Sequence, residues 1–403
     1  MIDTLLEGTG NAEASVVPSP VSGSEAVSLR PRHIGRIRGE VGHPTLVVLG
    51  ATHGNEPSGA LALQRVVDEL QKDATGLCGE FFAMVGNRRA LQEGKRFLRH
   101  DLNRHWQDER VERLRQAAGP LEAEDLELQE LEAELRGVLE STSGPVFAVD
   151  LHTTSGPGPC FVVLDDSLKN REFALPVPST IVVGLEEELS GTVTHYLARQ
   201  GVTVFGFEAG QHDDPTSVDR AEAAIWIALE SSGVVEKGSR KEVDDGRLLL
   251  AEDRGPLPHV VEMRYRHGIE PEDEFRMHPG YRNFQPVSEG QALADDRHGA
   301  VTAPESGRIL MPLYQKQGED GFFIVRPLKE IWLDISARVR KHHWERFIHW
   351  LPGVKHHPHL ERTFVVDRRW ARFLALELFH LLGYRRCGPL HDRYLFMTRR
   401  SEE

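Results

Sequence analysis

Apolar and polar positions alternate along the chain in two ways. Short, fully apolar runs recur between about His33 and Ser232, separated by longer stretches with helical spacing. Thr45 to Gly50, Glu80 to Val85, Pro145 to Asp150, Phe161 to Leu164 and Val202 to Glu208 read as strands. Runs this short and apolar, without internal polar alternation, are those of strands covered on both faces. Between them, Pro57 to about Lys72 reads as a helix with Leu61, Leu63, Val66, Val67 and Leu70 as its apolar positions, and Pro57 suits the first helical position. Glu122 to Leu139 predicts a charged surface helix; Glu186 to Gln200 and Asp219 to Ser231 predict two more. Strands alternating with helices predict an α/β layer architecture. The polar stretch Lys237 to Gly246 reads as its end.

Beyond that stretch the pattern changes. Val260 to Tyr265, Gly299 to Ala303, Gly307 to Met311 and Gly321 to Val325 are short β-type runs broken by Gly and Pro, which predicts a small all-β unit. From Ile335 onward, helical patterns around Ala337 to Trp350 and Arg368 to Leu382 precede a strand at Arg393 to Thr398. The expected organisation is a poorly ordered leader (1–32), an α/β domain (33–236), a β-domain (247–330) and a basic helical extension (335–403).

Composition narrows the function classes. The net charge is -14 over 403 residues, but residues 336–403 carry +7 and the rest -21. An acidic body disfavours nucleic acid as a partner. No apolar run reaches the length of a membrane span, so no membrane partner is expected. The three cysteines, Cys78, Cys160 and Cys387, lie far apart, and no basic-then-apolar start is present. Together these favour a reducing cytoplasmic setting. Self-association is left open.

Four segments offer chemistry. His53-Gly54-Asn55-Glu56 follows the Thr45 to Gly50 run, and His152 follows the Val146 to Val149 run in Asp150-Leu151-His152-Thr153-Thr154. His, Glu and His form a ligand set that leaves a fourth tetrahedral position on zinc for water. Taken alone, His53 and Glu56 read equally as a metal pair or as a polar turn with Glu56 capping the helix. Asp150 lies on the same side of a strand as His152, so it suits either a carboxylate orienting that imidazole or an ordinary strand end. The arginines of Asn87-Arg88-Arg89, Arg96, Arg99 and Asp101-Leu102-Asn103-Arg104 suit either carboxylate recognition or a solvated basic loop. Glu208, ending a strand before Ala209-Gly210, suits either a general base or an ion-pair partner.

In order and spacing, these four segments resemble the succinylglutamate desuccinylase/aspartoacylase family, a branch of the zinc carboxypeptidase-like hydrolases. The resemblance covers about Pro31 to Pro327. It implies one zinc ion per chain on His53, Glu56 and His152. Glu208 would be general base and then proton donor, Arg96 would polarise the scissile carbonyl, and Asn103 and Arg104 would hold the substrate's carboxylate. It also implies a carboxypeptidase-like α/β/α sandwich with a mixed sheet, followed by a small barrel-like β-domain related to biotinyl and lipoyl modules. Asn283 to Val287 and Gln317 to Phe323 match that domain, without a lysine at a hairpin tip, so lipoylation is not expected.

Two departures stand out. Arg88 occupies a position where relatives usually have Pro, and the reader of the acyl-side carboxylate is identified only as the candidate Arg199. The expected activity is hydrolysis of the amide bond of an N-acyl amino acid or similar small anionic amide. The competing expectations are a metallocarboxypeptidase or esterase, and a non-catalytic metal- or ligand-binding protein. The C-terminal histidines His342, His343, His349, His356, His357 and His359 read as surface residues.

Overall fold

A computed structural model describes residues 31–40, 42–186, 188–341, 353–357, 363–367, 385–387 and 394–398. Its first part comprises β1 (His33–Ile37), β2 (Thr45–Gly50), α1 (Ser58–Lys72), β3 (Glu80–Val85), α2 (Arg88–Glu93), α3 (Asp108–Arg115), α4 (Ala123–Ser141) and β4 (Val146–Thr154). β5 (Phe161–Leu164), α5 (Leu168–Ala174), β6 (Thr180–Val183), α6 (Val193–Arg199), β7 (Thr203–Gln211), α7 (Thr216–Ser231), α8 (Lys241–Arg254) and β8 (Val260–Gly268) follow. The remainder is mostly short strands: β9 (Arg276–Met277), β10 (Pro286–Val287), β11 (Ala292–Asp296), β12 (Gly299–Thr302), β13 (Gly307–Leu310) and β14 (Asp320–Pro327). Then come α9 (Glu330–Lys341), β15 (Val354–His356), β16 (Thr363–Asp367), β17 (Arg385–Cys387) and β18 (Tyr394–Thr398).

One mixed sheet of 11 strands organises the molecule, in the order β1-β3-β2-β4-β7-β5-β6-β8-β14-β13-β10. Next to the β1 edge, β3, β2, β4 and β7 run parallel. Their side chains alternate between two apolar layers, as a period of two requires. Leu46, Val48, Val149, Leu151, Phe205 and Phe207 pack under α1, α5, α7 and α8. Val47, Leu49, Ala148 and Val204 pack under α3, α4 and α6. All six residues of β2 are buried, because helices cover both faces. The mixed α/β fold expected from the alternating pattern is therefore present.

Local boundaries differ from the sequence expectation in several places. The polar stretch Lys237 to Gly246 already contains the start of α8. Its buried residues Val243, Gly246 and Leu250 share one face at i, i+3 and i+7 but include a glycine, while Leu248 and Leu249 are exposed, so the apolar stripe is weak. β8 pairs in parallel with β6 and antiparallel with β14, so backbone hydrogen bonding continues from the α/β layer into the β-rich segment. The helix expected over Glu186 to Gln200 occupies only Val193–Arg199, capped by Thr192 Oγ1 accepting from His195 N. Leu61, counted among the apolar positions of α1, is 48% exposed.

Residues 1–30 of the expected leader, the helix expected over Arg368 to Leu382, and His342, His343, His349 and His359 lie outside the described residues. So does the part of the expected helix beyond Lys341. The strand expected near the C-terminus is β18, central with β16 in a separate four-stranded sheet. Among the described residues no helix is long and apolar enough to cross a membrane. Cys78 and Cys160 are unpaired thiols.

Candidate active site

The site lies at the carboxyl ends of β2, β4 and β7, where the crevice of an open parallel sheet ordinarily holds its ligand. Ala51, the residue after β2, has a left-handed φ of 56°, a rare conformation for a residue with a Cβ. Asn87 N donates to Ala51 O at 2.8 Å and holds this bend, which turns the chain out of the sheet into Thr52 and His53. Gly54 then passes the start of α2 so closely that a Cβ would lie 2.0 Å from the Ala90 carbonyl carbon. Only glycine fits that approach.

The loop places His53 and Glu56 together, and β4 brings His152 to them. His53 Nδ1 lies 2.9 Å from Glu56 Oε1, and His152 Nδ1 lies 3.0 Å from Glu56 Oε2. The two imidazole centroids are 4.9 Å apart, and the three potential ligand atoms lie within 4.8 Å of one another. Thr153 N donates to Glu56 Oε2 at 3.0 Å. α1 begins after Pro57 without a side-chain cap, so Glu56 does not serve as its cap.

The outer nitrogens are equally well placed. His53 Nε2 faces Asp101 Oδ1 at 3.1 Å, and His152 Nε2 faces Asp150 Oδ2 at 2.7 Å. Thr52 Oγ1 donates to the second oxygen of Asp150 at 2.6 Å. Each imidazole thus turns one nitrogen to the shared centre and one to an orienting carboxylate, the arrangement that fixes the tautomer of a metal-ligating histidine. Asp150 is legible from its strand spacing. Asp101 is not, because its partner lies 48 residues away with no local signal.

Electrostatics reinforce the grouping. Burial raises the Glu56 carboxyl, but the adjacent His53 and His152 outweigh it and hold Glu56 well below the usual carboxylate range. Burial likewise raises Asp101, and Arg96 with His53 outweighs it. Burial alone lowers His152, yet Asp150 and Glu56 hold its imidazolium form well above the ordinary histidine range. Glu208 is directly opposite His152 in the parallel pairing of β7 with β4, on the same face. Burial pushes its carboxyl up to about 7, and its buried Oε2 has no hydrogen-bond partner.

Residues 42–225 match the succinylglutamate desuccinylase/aspartoacylase catalytic domain. This matched segment is a little under half of the chain, and in it the chain is similar to that catalytic domain. A probable aspartoacylase of Prochlorococcus marinus (strain NATL2A) is 33% identical over 125 residues, which span 29% of this chain and 37% of that relative. The fold is similar to the succinylglutamate desuccinylase of Vibrio parahaemolyticus (TM-score 0.51, 14% identity, 76% of this chain and 93% of that one). It is also similar to a succinylglutamate desuccinylase/aspartoacylase from Rhodobacter sphaeroides (0.53, 17%, 74% and 88%). A third likeness is to the product-bound ectoine utilization protein EutE (DoeB) from Ruegeria pomeroyi (0.52, 18%, 72% and 87%).

The donor set His53, Glu56 and His152 suits a divalent metal ion. Two imidazole nitrogens and one carboxylate are a ligand set for zinc. The four carboxylates Glu56, Asp101, Asp150 and Glu208 face two guanidinium groups, Arg96 and, at Asp101, Arg104. A divalent cation would offset that excess.

The remaining expected residues occupy distinct places. Arg96 donates to Asp101 Oδ2 from Nη2 at 2.9 Å and from Nε at 3.2 Å, with Nη1 3.4 Å from Glu56 Oε1. The Asn103 carbonyl oxygen of the side chain accepts from Val193 N at 2.8 Å, and its amide nitrogen lies 3.3 Å from His152 Nε2. Arg104 Nη2 donates to Asp320 Oδ2 at 3.3 Å. Arg88 and Arg89 point away from this group to Glu130 and Glu127 of α4. Arg199 pairs with Asp108 at 2.9 Å.

Two further residues, absent from the sequence expectation, join the ligand loops to the β-rich segment. Gln315 Oε1 accepts from Asn55 Nδ2 at 2.9 Å and lies 3.0 Å from His212 Nε2. His212 Nδ1 in turn lies 2.7 Å from Thr153 Oγ1.

Proposed function

We propose that this chain is a zinc-dependent hydrolase that cleaves the amide bond of an N-acyl amino acid or a similar small anionic amide. The observation that carries the reading is the convergence of His53 Nδ1, His152 Nδ1 and the Glu56 carboxylate beside the unpartnered oxygen of Glu208. When bound, zinc supplies a Lewis acid and makes water a stronger acid near neutral pH.

Glu208 is the general base. Its buried oxygen without a hydrogen-bond partner is free to accept a proton and return it to the departing amine. Arg96, held in place by Asp101, supplies positive charge beside the carbonyl oxygen as it becomes anionic. Arg104 anchors the substrate's carboxylate. Asn103, whose side-chain carbonyl accepts from Val193 N and whose amide lies 3.5 Å from Asp150 Oδ2, stands next to Arg104 and holds the substrate's carboxylate with it.

The test is metal analysis paired with an amine-release screen over N-acylated amino acids. The expected result is one zinc per chain and release of amine from at least one N-acyl amino acid. Hydrolysis confined to peptides or esters would overturn the assignment.

A further inference from the structure

Arg104 is incompletely satisfied. It ends a short 3-10 turn, Leu102–Arg104, next to Asn103. Its Nη1 donates to Asn103 O at 3.0 Å, its Nη2 reaches Asp320 Oδ2 only at 3.3 Å, and its buried Nε has no hydrogen-bond partner. Guanidinium offers its Nε and Nη donors as a fork that a carboxylate fills with two parallel hydrogen bonds. One more acceptor is therefore missing from this side chain.

Asp320, the first residue of β14, is held mainly from elsewhere. Arg266 Nε donates to its Oδ1 at 2.6 Å, so Asp320 is anchored by Arg266 and only grazes Arg104. Glu319 Oε2 lies 4.0 Å from Arg104 Nε, and the buried Glu186 also faces the Arg104 charge. An incoming carboxylate would complete the Arg104 fork while Asp320 remains beside it, fixed by Arg266. A second carboxylate on the same ligand would meet that anchored negative charge, and like charges in a partly desolvated place repel strongly.

We propose that Asp320 is a specificity-determining residue: it limits the Arg104 subsite to ligands that bring one carboxylate and disfavours those that bring two. This rests on the reading of Arg104 as the carboxylate anchor.

The test measures dissociation constants by calorimetry for N-acetyl-L-aspartate and N-acetyl-L-asparagine, which have one shape and differ by one carboxylate. The full chain is loaded with zinc and carries Glu208→Gln to keep the ligand uncleaved. With Asp320 present, the asparagine derivative should bind more tightly. Asp320→Asn should shift the ratio of the two constants toward the aspartate derivative by about tenfold. Asp320→Glu, which keeps the charge, should leave the ratio within about twofold.

An unchanged ratio in a folded Asp320→Asn chain overturns the proposal. If that chain does not fold, Arg266→Gln gives an independent reading, because it frees Asp320 to pair with Arg104. It should weaken both ligands, and unchanged binding overturns the proposal. Arg104→Met separates the role of Asp320 from that of the anchor. If it leaves both constants unchanged, Arg104 is not the anchor and the underlying reading fails. If it weakens both ligands while Asp320→Asn shifts nothing, only the role of Asp320 fails. Absence of binding by either ligand to every chain overturns both.

Discussion

Two buried charge clusters lie close together in this protein, built from the same kinds of residue, and they differ in how their charges are balanced. In the first, Arg32 donates to Glu127 at 2.5 Å and to Glu130 at 3.0 Å, Arg89 pairs with Glu127 at 2.5 Å, and Arg88 pairs with Glu130. Three permanent cations face two carboxylates. In the second, Glu56, Asp101, Asp150 and Glu208 gather around two imidazoles and Arg96. In the first cluster each carboxylate is matched by arginine, with positive charge in excess. The second is short of positive charge and takes it from a proton or a metal. Arginine cannot give up its proton in a protein, whereas imidazole can. The first arrangement therefore fastens α4 to the sheet, and the second responds to what binds.

The comparison is tested most severely by Glu208→Gln. Activity should fall by about a thousandfold, within the range removal of a general base produces, while zinc content stays at the wild-type level. Full activity by amine release would remove Glu208 from the mechanism. Next in size is Glu127→Ala in the first cluster. It leaves Arg32 and Arg89 without their main partner and should cost about 3–5 kcal/mol in denaturant unfolding. Zinc stoichiometry should not change; a loss of zinc without a loss of stability would erase the distinction between the clusters.

The third prediction concerns pH in the metal-free protein. Glu208 titrates at about 7 when folded, against 4.5 for its ordinary value, so folding favours its protonated form. That preference is fully present below pH 4.5 and is lost as pH rises through 7. Above pH 7 the buried carboxylate costs the fold up to about 3 kcal/mol, since each tenfold change in proton affinity is worth about 1.4 kcal/mol. Glu208→Gln should therefore raise the melting temperature of the metal-free chain at pH 8 and leave it nearly unchanged at pH 4. Equal effects at both values would contradict the burial of this carboxyl.

The smallest effect belongs to Asp101→Asn, which weakens the carboxylate behind His53. Zinc affinity, measured by competition with a chelator, should drop by about 10- to 100-fold with the fold retained. A drop no larger than that of a surface Asp→Asn control would leave His53 without its orienting partner.

Much of the site is readable from the chain, but for local reasons only. The run Thr45 to Gly50 announces a strand covered on both faces, so His53 and Glu56 fall at its carboxyl end. Asp150 and His152 share a face because they are two residues apart in β4. What stays hidden is everything that needs a distant partner. α4 reads as a surface helix because Glu124, Glu127 and Glu132 look solvated, yet all three are buried. Glu127 and Glu132 are matched by Arg32, Arg89 and Arg115, and Glu124 accepts the backbone N–H groups of Leu98 and Arg99. Burial of a charge depends on partners that sequence spacing does not reveal. Arg88 and Arg89 group with Arg96 and Arg104 in the sequence for the same reason, and the fold sends them to α4 instead.

By itself, then, the sequence determined the alternation of strands and helices, the ends of the strands and the types of donor set there. These follow from periodicity and side-chain chemistry within a few residues. Only the tertiary structure decided that β4 lies between β2 and β7, and thus that His152 meets Glu56 on one side and stands opposite Glu208 on the other. It also decided that Asp101 backs His53 and that Asp320 reaches Arg104 across 216 residues of chain. Strand order and loop closure bring these groups together through backbone pairing and burial, and neither leaves a mark on the local pattern of residues.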